Sequence, residues 1–449
     1  MSFRDYITSF LFRKKLQADR DAFDSIRPPA HPSRRYINRL VERLISDKHA
    51  LAAHRELEMI GGAATSSLVA ALRDPRFHQE IERPNVMIDQ PLALVLDLLV
   101  PLSPDDVVLA AKKLVRSSSS KIRKTAAIHL ASLGRDDTLP MLAELLNDVD
   151  GYVRSYVTIG AQRAMKKGQC SETFRNGMYD LLLAQCDQEW VGDVNDAASA
   201  VIAYDPARAA VDFASERWLS PSNPYAYKIL DACNRAGIVL AGAPVRGLLD
   251  YSLPQAVGKD CYPHQRVVAE ALEMLARCLG DQIKPVLEIA LTSDQAEIQE
   301  AAAKGLAKLV GLDDPIKFVL DRRQEVGFER LSGPQRVVYC AFLFEAEVCN
   351  GGIMQFFGNS SGNHAADTLE ALRVLDHPEA YHALDTAIKL VGPLAREPNR
   401  DLRLAAFEHR YDELQSAFEP LESAYYRTTG LLKQRMLLYA AANAEDFRR

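Results

Sequence analysis

The sequence predicts an all-α protein, with stacked helix hairpins over most of its length closed by a further helical domain. Three observations predict it. Ala-rich helical stretches recur along the chain, each stopping at a glycine. In the last quarter, apolar residues fall at i, i+4, i+7 and i+11, the stripe of a core-facing helix. No run of alternating Val, Ile and Thr is long enough to build a sheet.

Length and composition set the frame. A chain of 449 residues exceeds what one core supports, so two or more units are expected. A hydrophobic content of 48 % with 25 % charged residues is that of an ordinary globular protein. The formal net charge of −6 is small for this length and favours neither wholesale nucleic-acid binding nor a strongly acidic surface. No run of eighteen apolar residues is present, so no membrane span is expected. The start, Met1-Ser-Phe-Arg-Asp5, lacks the apolar stretch and cleavage site of an export signal. Seven scattered cysteines, never two residues apart, predict reduced thiols in a cytoplasm and no metal site.

In chain order, Phe3 to Leu16 reads as an amphipathic helix that caps the first repeat, with a membrane-surface anchor as its alternative. Ile26 to Ser33 is a proline-rich hinge. From about Arg34 the chain repeats itself loosely. Leu51–Gly61, Ile122–Gly134, Val267–Gly280 and Ile298–Gly311 are each an Ala-rich helix ending in glycine, which suits a left-handed cap. Three are followed by a second apolar helix closing on aspartate, at Leu68–Asp74, Leu139–Asp148 and Ile283–Asp294. Val267 to Ile298 is a step of 31 residues, and so is Ile122 to Val153. Helix pairs at this period resemble HEAT repeats, including the Val153-Arg154 opening of a second helix. That resemblance implies a curved α-solenoid over residues 34–325, preceded by 1–33 and followed by a helical domain at 331–449.

In the last domain, Ser332, Gly333 and Pro334 start a helix that runs to about Cys349, with Val337, Ala341, Phe344 and Val348 on one stripe. Glu345 lies one position round from that stripe, so burial would oblige it to find donors. Asn350-Gly351-Gly352 reads as a helix stop whose glycines expose backbone N–H groups. A Gln355-Phe356-Phe357 turn and the loop Asn359-Ser360-Ser361-Gly362 follow. Further helices are expected at Ala365–Val374, Tyr381–Val391, Tyr411–Tyr426 and Leu431–Asn443.

This stretch resembles the C-terminal domain of the DNA-mimic protein family, in which a Glu, an Asn-Gly-Gly, a Gln-Phe-Phe and an Asn-Ser-Ser-Gly occur in the same order. The resemblance implies a protein-binding adaptor or regulator of bacterial type that inhibits or sequesters a DNA-binding protein or a toxin. The candidate binding residues are Glu345, Asn350, Gly351, Gly352, Gln355, Phe356, Phe357, Asn359, Ser361 and Gly362. Two plainer roles compete: Glu345 as a clasp tying down two loops, and the two phenylalanines as core anchors. From Leu331 onward, 16 acids stand against 12 basic residues, thinner than a DNA mimic's acidic face.

Chemistry is hard to find. No phosphate loop, nucleophile elbow or His-Glu-x-x-His motif occurs. Glu345 and Glu347 are two apart and so point in different directions on a helix, unlike a catalytic pair. An enzyme built on Glu345, Asn359 and His364 would need Glu345 raised in pKa beside an open cavity. The reading is a binding protein with no cofactor. Its rival is a nucleic-acid-binding HEAT protein acting through Lys112, Lys113, Arg116, Lys121, Arg123 and Lys124, which occur with no acid between Leu109 and Arg135. In that reading Trp190, Asp193, Trp218 and Tyr225 would imitate the groove of HEAT-type DNA glycosylases.

Overall fold

The computed structural model describes residues 28–45, 49–79, 91–168, 170–186, 193–256, 261–397, 399–408 and 410–448. The expected helix Phe3–Leu16 lies outside them, as does Trp190. Every regular element among the described residues is helical. The chain divides into two compact units, one up to Ala210 and one from Val211 onward. The boundary expected near 325–331 therefore falls inside the second unit.

In the first unit the helices are α1 (Arg34–Arg43), α2 (Ala50–Ile60), α3 (Thr65–Ala71), α4 (Pro91–Leu102), α5 (Pro104–Leu114), α6 (Ser120–Ser132), α7 (Leu139–Leu146), α8 (Gly151–Lys166), α9 (Glu172–Gln185) and α10 (Asp193–Tyr204). Side-chain caps start several of them. Ser33 accepts from Tyr36 N, Asp150 from Tyr152 N and Ser171 from Phe174 N. Alternate helices pack on one another: α2 on α4, α4 on α6, α6 on α8, α8 on α10, with α7 on α9. Small residues set the spacing. A Cβ at Gly160 of α8 would lie 2.4 Å from the Ile128 carbonyl of α6, so only glycine permits this approach.

Helix α11 (Pro206–Phe213) spans the division. The second unit continues with α12 (Ala226–Ala236), α13 (Gly242–Ser252), α14 (Tyr262–Leu279), α15 (Lys284–Ala290), α16 (Ala296–Leu309), α17 (Pro315–Val326), α18 (Gly333–Gly358), α19 (Ala365–Val374), α20 (Pro378–Val391), α21 (Arg400–Glu408), α22 (Tyr411–Tyr426) and α23 (Thr429–Ala442). Alternate packing persists, α12 on α14 and α14 on α16. The next place in that row is taken by α23, which packs on α16. Gly430 makes the approach close, since a Cβ there would sit 2.8 Å from Ala296 Cβ. Ala303 and Ala307 of α16 share one core with Phe344, Phe357, Leu432 and Met436.

The four glycine stops expected from the repeats are present, with Gly61, Gly134, Gly280 and Gly311 all at positive φ. Helices α19 and α22 have the expected limits. The expected Gln355-Phe356-Phe357 turn is instead helical, because the helix breaks at Gly351-Gly352 and resumes as far as Gly358. Helix α18 is 26 residues long and apolar enough by length and composition to cross a membrane. Here its Val338, Ala341, Phe344 and Val348 are fully buried in the core of the unit.

Candidate functional site

The double glycine of α18 is a joint held from a distance. Ser332 and Gln335 begin the helix with a capping box, each side chain accepting the other's backbone N–H. Gly352 has φ +79, and a Cβ there would meet the Glu422 carboxylate at 2.5 Å. Gly351, at φ −159, needs no left-handed backbone, but a Cβ there would lie 2.0 Å from Gln355 Oε1. Helix α22 mends the break on both sides. Glu422 Oε1 accepts from Ile353 N at 2.6 Å, and the Tyr426 hydroxyl donates to Val348 O at 2.8 Å. One orphan donor and one orphan carbonyl of the interrupted helix are thereby satisfied.

The acid that ties the loop is Glu347, two residues beyond the one expected. Its carboxylate accepts from Gln355 Nε2 at 2.7 Å, Asn359 Nδ2 at 2.8 Å and Ser361 Oγ at 2.7 Å. Arg403, fully buried on α21, secures the same loop from behind. It donates to Phe357 O at 3.0 Å, to Asn359 O at 2.7 Å and to Glu397 O. Burial, with Arg400 nearby, pushes its pKa down. Gly362 leaves room for this guanidinium, since a Cβ would come within 3.0 Å of Arg403 Nε. Phe356 and Phe357 are fully buried, edge to face with each other and, for Phe356, with Phe344. Asn350 is exposed, and His364 stacks on Phe328 with ring centroids 3.9 Å apart. Gln355, Asn359 and Ser361 are thus brought together on Glu347, while Glu345 stands apart from them.

Glu345 belongs to a different neighbourhood. Burial raises its pKa to about 7, with Lys433 opposing and Glu300 adding to the rise. Those two residues lead to a cleft of about 1090 Å³ whose lining includes Asp231, Asn234, Glu270, Glu273, Lys304 and Lys433. Lys304 Nζ and Lys433 Nζ each lie 2.8 Å from the same oxygen, Glu300 Oε1. Burial disfavours the charge on Glu300, but the two ammoniums outweigh it and hold the carboxyl below its usual range. Lys308 pairs with Glu273 at 3.1 Å. Asn234 Nδ2 donates to Glu270 O and Glu270 Oε2, both at 3.0 Å. Burial lifts Glu270 to about 7 against that bond. The repeat register held a signal for this cleft: the 31-residue step carries Glu273 onto Lys304 and Arg277 onto Lys308. The first step reverses the charge and the second keeps it, so Glu273 meets cations on the following helix, as in its pair with Lys308.

Two of the six basic side chains of the first unit's cluster, Arg116 and Arg123, are paired with acids that the fold returns to them. Arg116 makes a two-pronged pair with Glu144 at 3.0 and 3.2 Å. Arg123 pairs with Asp148 at 2.6 and 2.8 Å and also donates to Ser117 O and Ser118 O. Lys124 lies 5.0 Å over the Tyr156 ring. Lys112, Lys113 and Lys121 are exposed. Trp218 is buried against Phe213 in a T-shaped contact, a core position rather than a groove wall. No group of His, Cys, Asp and Glu side chains among the described residues could hold a metal ion.

No curated protein matches the chain. A solved engineered protein from the Northeast Structural Genomics Consortium is 15 % identical, covering 92 % of this chain and 99 % of its own. Its TM-score to this chain is 0.26. Residues 329–443, which hold the Gly351-Gly352 joint, the Glu347 clasp and Arg403, match the family model described as DMP19-like protein.

Proposed function

We propose that this chain is a non-enzymatic, cytoplasmic protein-binding adaptor or regulator whose repeated helix pairs form a HEAT-like solenoid carrying a DNA-mimic-like domain. The observation that supports it most is the DMP19-like match at residues 329–443. A DNA mimic engages a DNA-binding protein by offering carboxylates where the duplex offers phosphates. Many acids of this region are held by cations on their own helix, as Glu370 is by Arg373, Asp385 by Lys389 and Glu413 by Arg410. Asp401, Asp412 and Glu419 are exposed with no ion pair among the described residues. Those three are the carboxylates a basic protein surface would meet. Arg403 on the loop carbonyls and Glu422 and Tyr426 at the α18 break fix α21 and α22, which carry them.

The competing reading, direct nucleic-acid binding through residues 112–124, draws less support because Arg116 and Arg123 are already committed to acids. Fluorescence anisotropy with labelled duplex DNA separates the two. A protein-binding module shows weak binding with little salt dependence. An affinity that falls steeply, by about 10³-fold or more between about 50 and 200 mM salt, would establish the nucleic-acid reading instead.

A further inference from the structure

Helix α1 exposes a row of arginines that breaks two local rules of helix building. Arg35, Arg39 and Arg43 follow one another a turn apart on its outer face, with Arg34 beside them, and all four are exposed. Like charges four residues apart repel on a helix, and Arg34 and Arg35 occupy the first turn, where the helix dipole disfavours cations. No acid stands in that turn to offset them. None of the four makes a hydrogen bond or ion pair among the described residues. Other arginines of the unit are matched, Arg76 by Asp74, Arg116 by Glu144 and Arg135 by Asp105 and Asp137. The one acid of α1, Glu42, is itself taken by Arg76 through two bonds of 2.9 Å. Asn38 Oδ1 accepts from Ser67 Oγ at 2.7 Å, which leaves the Nδ2 donors of that amide unused.

The opposite face of α1 buries Ile37, Leu40 and Val41, so the row is held outward. Its four arginines, with Asn38 and Glu42, line an open cavity of about 540 Å³. Sites for small ligands run from about 300 to 1,000 Å³. Repulsion kept at one place without a compensating group marks a place where a ligand supplies it.

We propose that this cavity binds a small oligophosphate, whose linked phosphate groups are received by Arg35, Arg39 and Arg43. A guanidinium meets a phosphate as a two-pronged fork, and each phosphate brings three acceptor oxygens and a charge of about −1.5 to −2. Linked phosphates place several such charges along one short molecule, which is what a row of unpaired cations lacks. Carboxylates bring one charge each and match the row less well. Tyr36, the one aromatic residue of α1, donates its hydroxyl to Glu56. The row therefore offers forks for phosphate and no free ring on which a base would stack.

Isothermal titration of the full chain at about 50 mM salt with orthophosphate, pyrophosphate, tripolyphosphate and citrate tests this. Affinity is expected to rise with each added phosphate, with citrate at least tenfold weaker than tripolyphosphate. Arg39→Gln removes the centre of the row and both like-charge contacts. It is expected to lose at least tenfold in affinity for tripolyphosphate, while the melting temperature without ligand holds or rises. Lys112→Gln/Lys113→Gln, in the other basic stretch, is expected to bind as the unaltered chain does. Equal binding of citrate and tripolyphosphate would overturn the proposal, as would no heat from millimolar tripolyphosphate. So would an Arg39→Gln variant that keeps its affinity or melts lower without ligand, or a loss of affinity in the lysine variant. Phosphatidylglycerol vesicles that retain the chain against saturating tripolyphosphate would assign the row to a lipid surface and overturn it as well.

Discussion

At the residue scale, the Glu347 clasp and the Gly352 joint make separable predictions. Gly352→Ala places a side chain at φ +79 and against Glu422, and is expected to cost about 2–4 kcal/mol in chemical denaturation. Gly351→Ala needs no positive φ but pushes on the Gln355 side chain, disturbing its bond to Glu347, and is expected to cost about 1 kcal/mol. A penalty at Gly351 equal to that at Gly352 would mean that the joint does not depend on positive φ. Arg403→Met strands three carbonyls and is expected to lose about 3 kcal/mol or more. Glu345 behaves oppositely. Its folded pKa of about 7 lies above the ordinary carboxyl value, so the folded chain holds its proton more tightly than the unfolded one. Its contribution is present at low pH and is lost as pH rises through about 7. Glu345→Gln should therefore raise stability by about 1–2 kcal/mol at pH 8 and change little at pH 4.5. Equal effects at both pH values would show that the carboxyl is not held neutral. The sequence pointed to the correct stretch and to a buried acid at 345, because burial follows from helical spacing. It named the wrong clasp, since the loop's return to Glu347 depends on the turn taken at Gly352. Glu422 and Tyr426, which hold that turn, lie some 70 residues away.

At the scale of elements, the glycine-stopped helices and the limits of α19 and α22 were legible, because caps and apolar stripes are local signals. Helix α21 was not. Its stretch, Arg400–Glu408, is short and polar on average, and its main residue, Arg403, looks like a surface charge until the loop carbonyls gather round it. The extension of α18 through Gln355–Phe357 was also hidden, because two adjacent glycines read as a stop. The least legible feature was the docking of α23 on α16, a contact between stretches more than 120 residues apart. That docking is open to test. Leu432 and Met436 are fully buried beside Ala303 and Ala307, so Leu432→Ala or Met436→Ala is expected to cost about 2–5 kcal/mol. The loss should appear in the single transition of the whole second unit. A separate transition confined to residues after 331 would show that the repeat helices and the last domain do not share a core.

At the scale of the whole molecule, charge explains why composition pointed away from DNA. The basic stretch at 112–124 is real in sequence, but Glu144 and Asp148 come back to it from the following helix and loop. Linear charge counting cannot show that return. The same holds for the cleft, where Glu300 pairs with Lys304 and Lys433 and Glu273 with Lys308, none of which a net charge of −6 reveals. What the chain offers outward is a set of exposed carboxylates on α21 and α22, in the region that matches the DMP19-like family. The most direct measurement is recovery of the tagged chain from its own cells, followed by elution with duplex DNA. A protein-binding module that stands in for DNA should carry a stoichiometric DNA-binding protein, released by the duplex and lost in the Asp412→Lys/Glu419→Lys variant. A partner that duplex DNA leaves in place, or a chain that is itself retained on DNA, would contradict it.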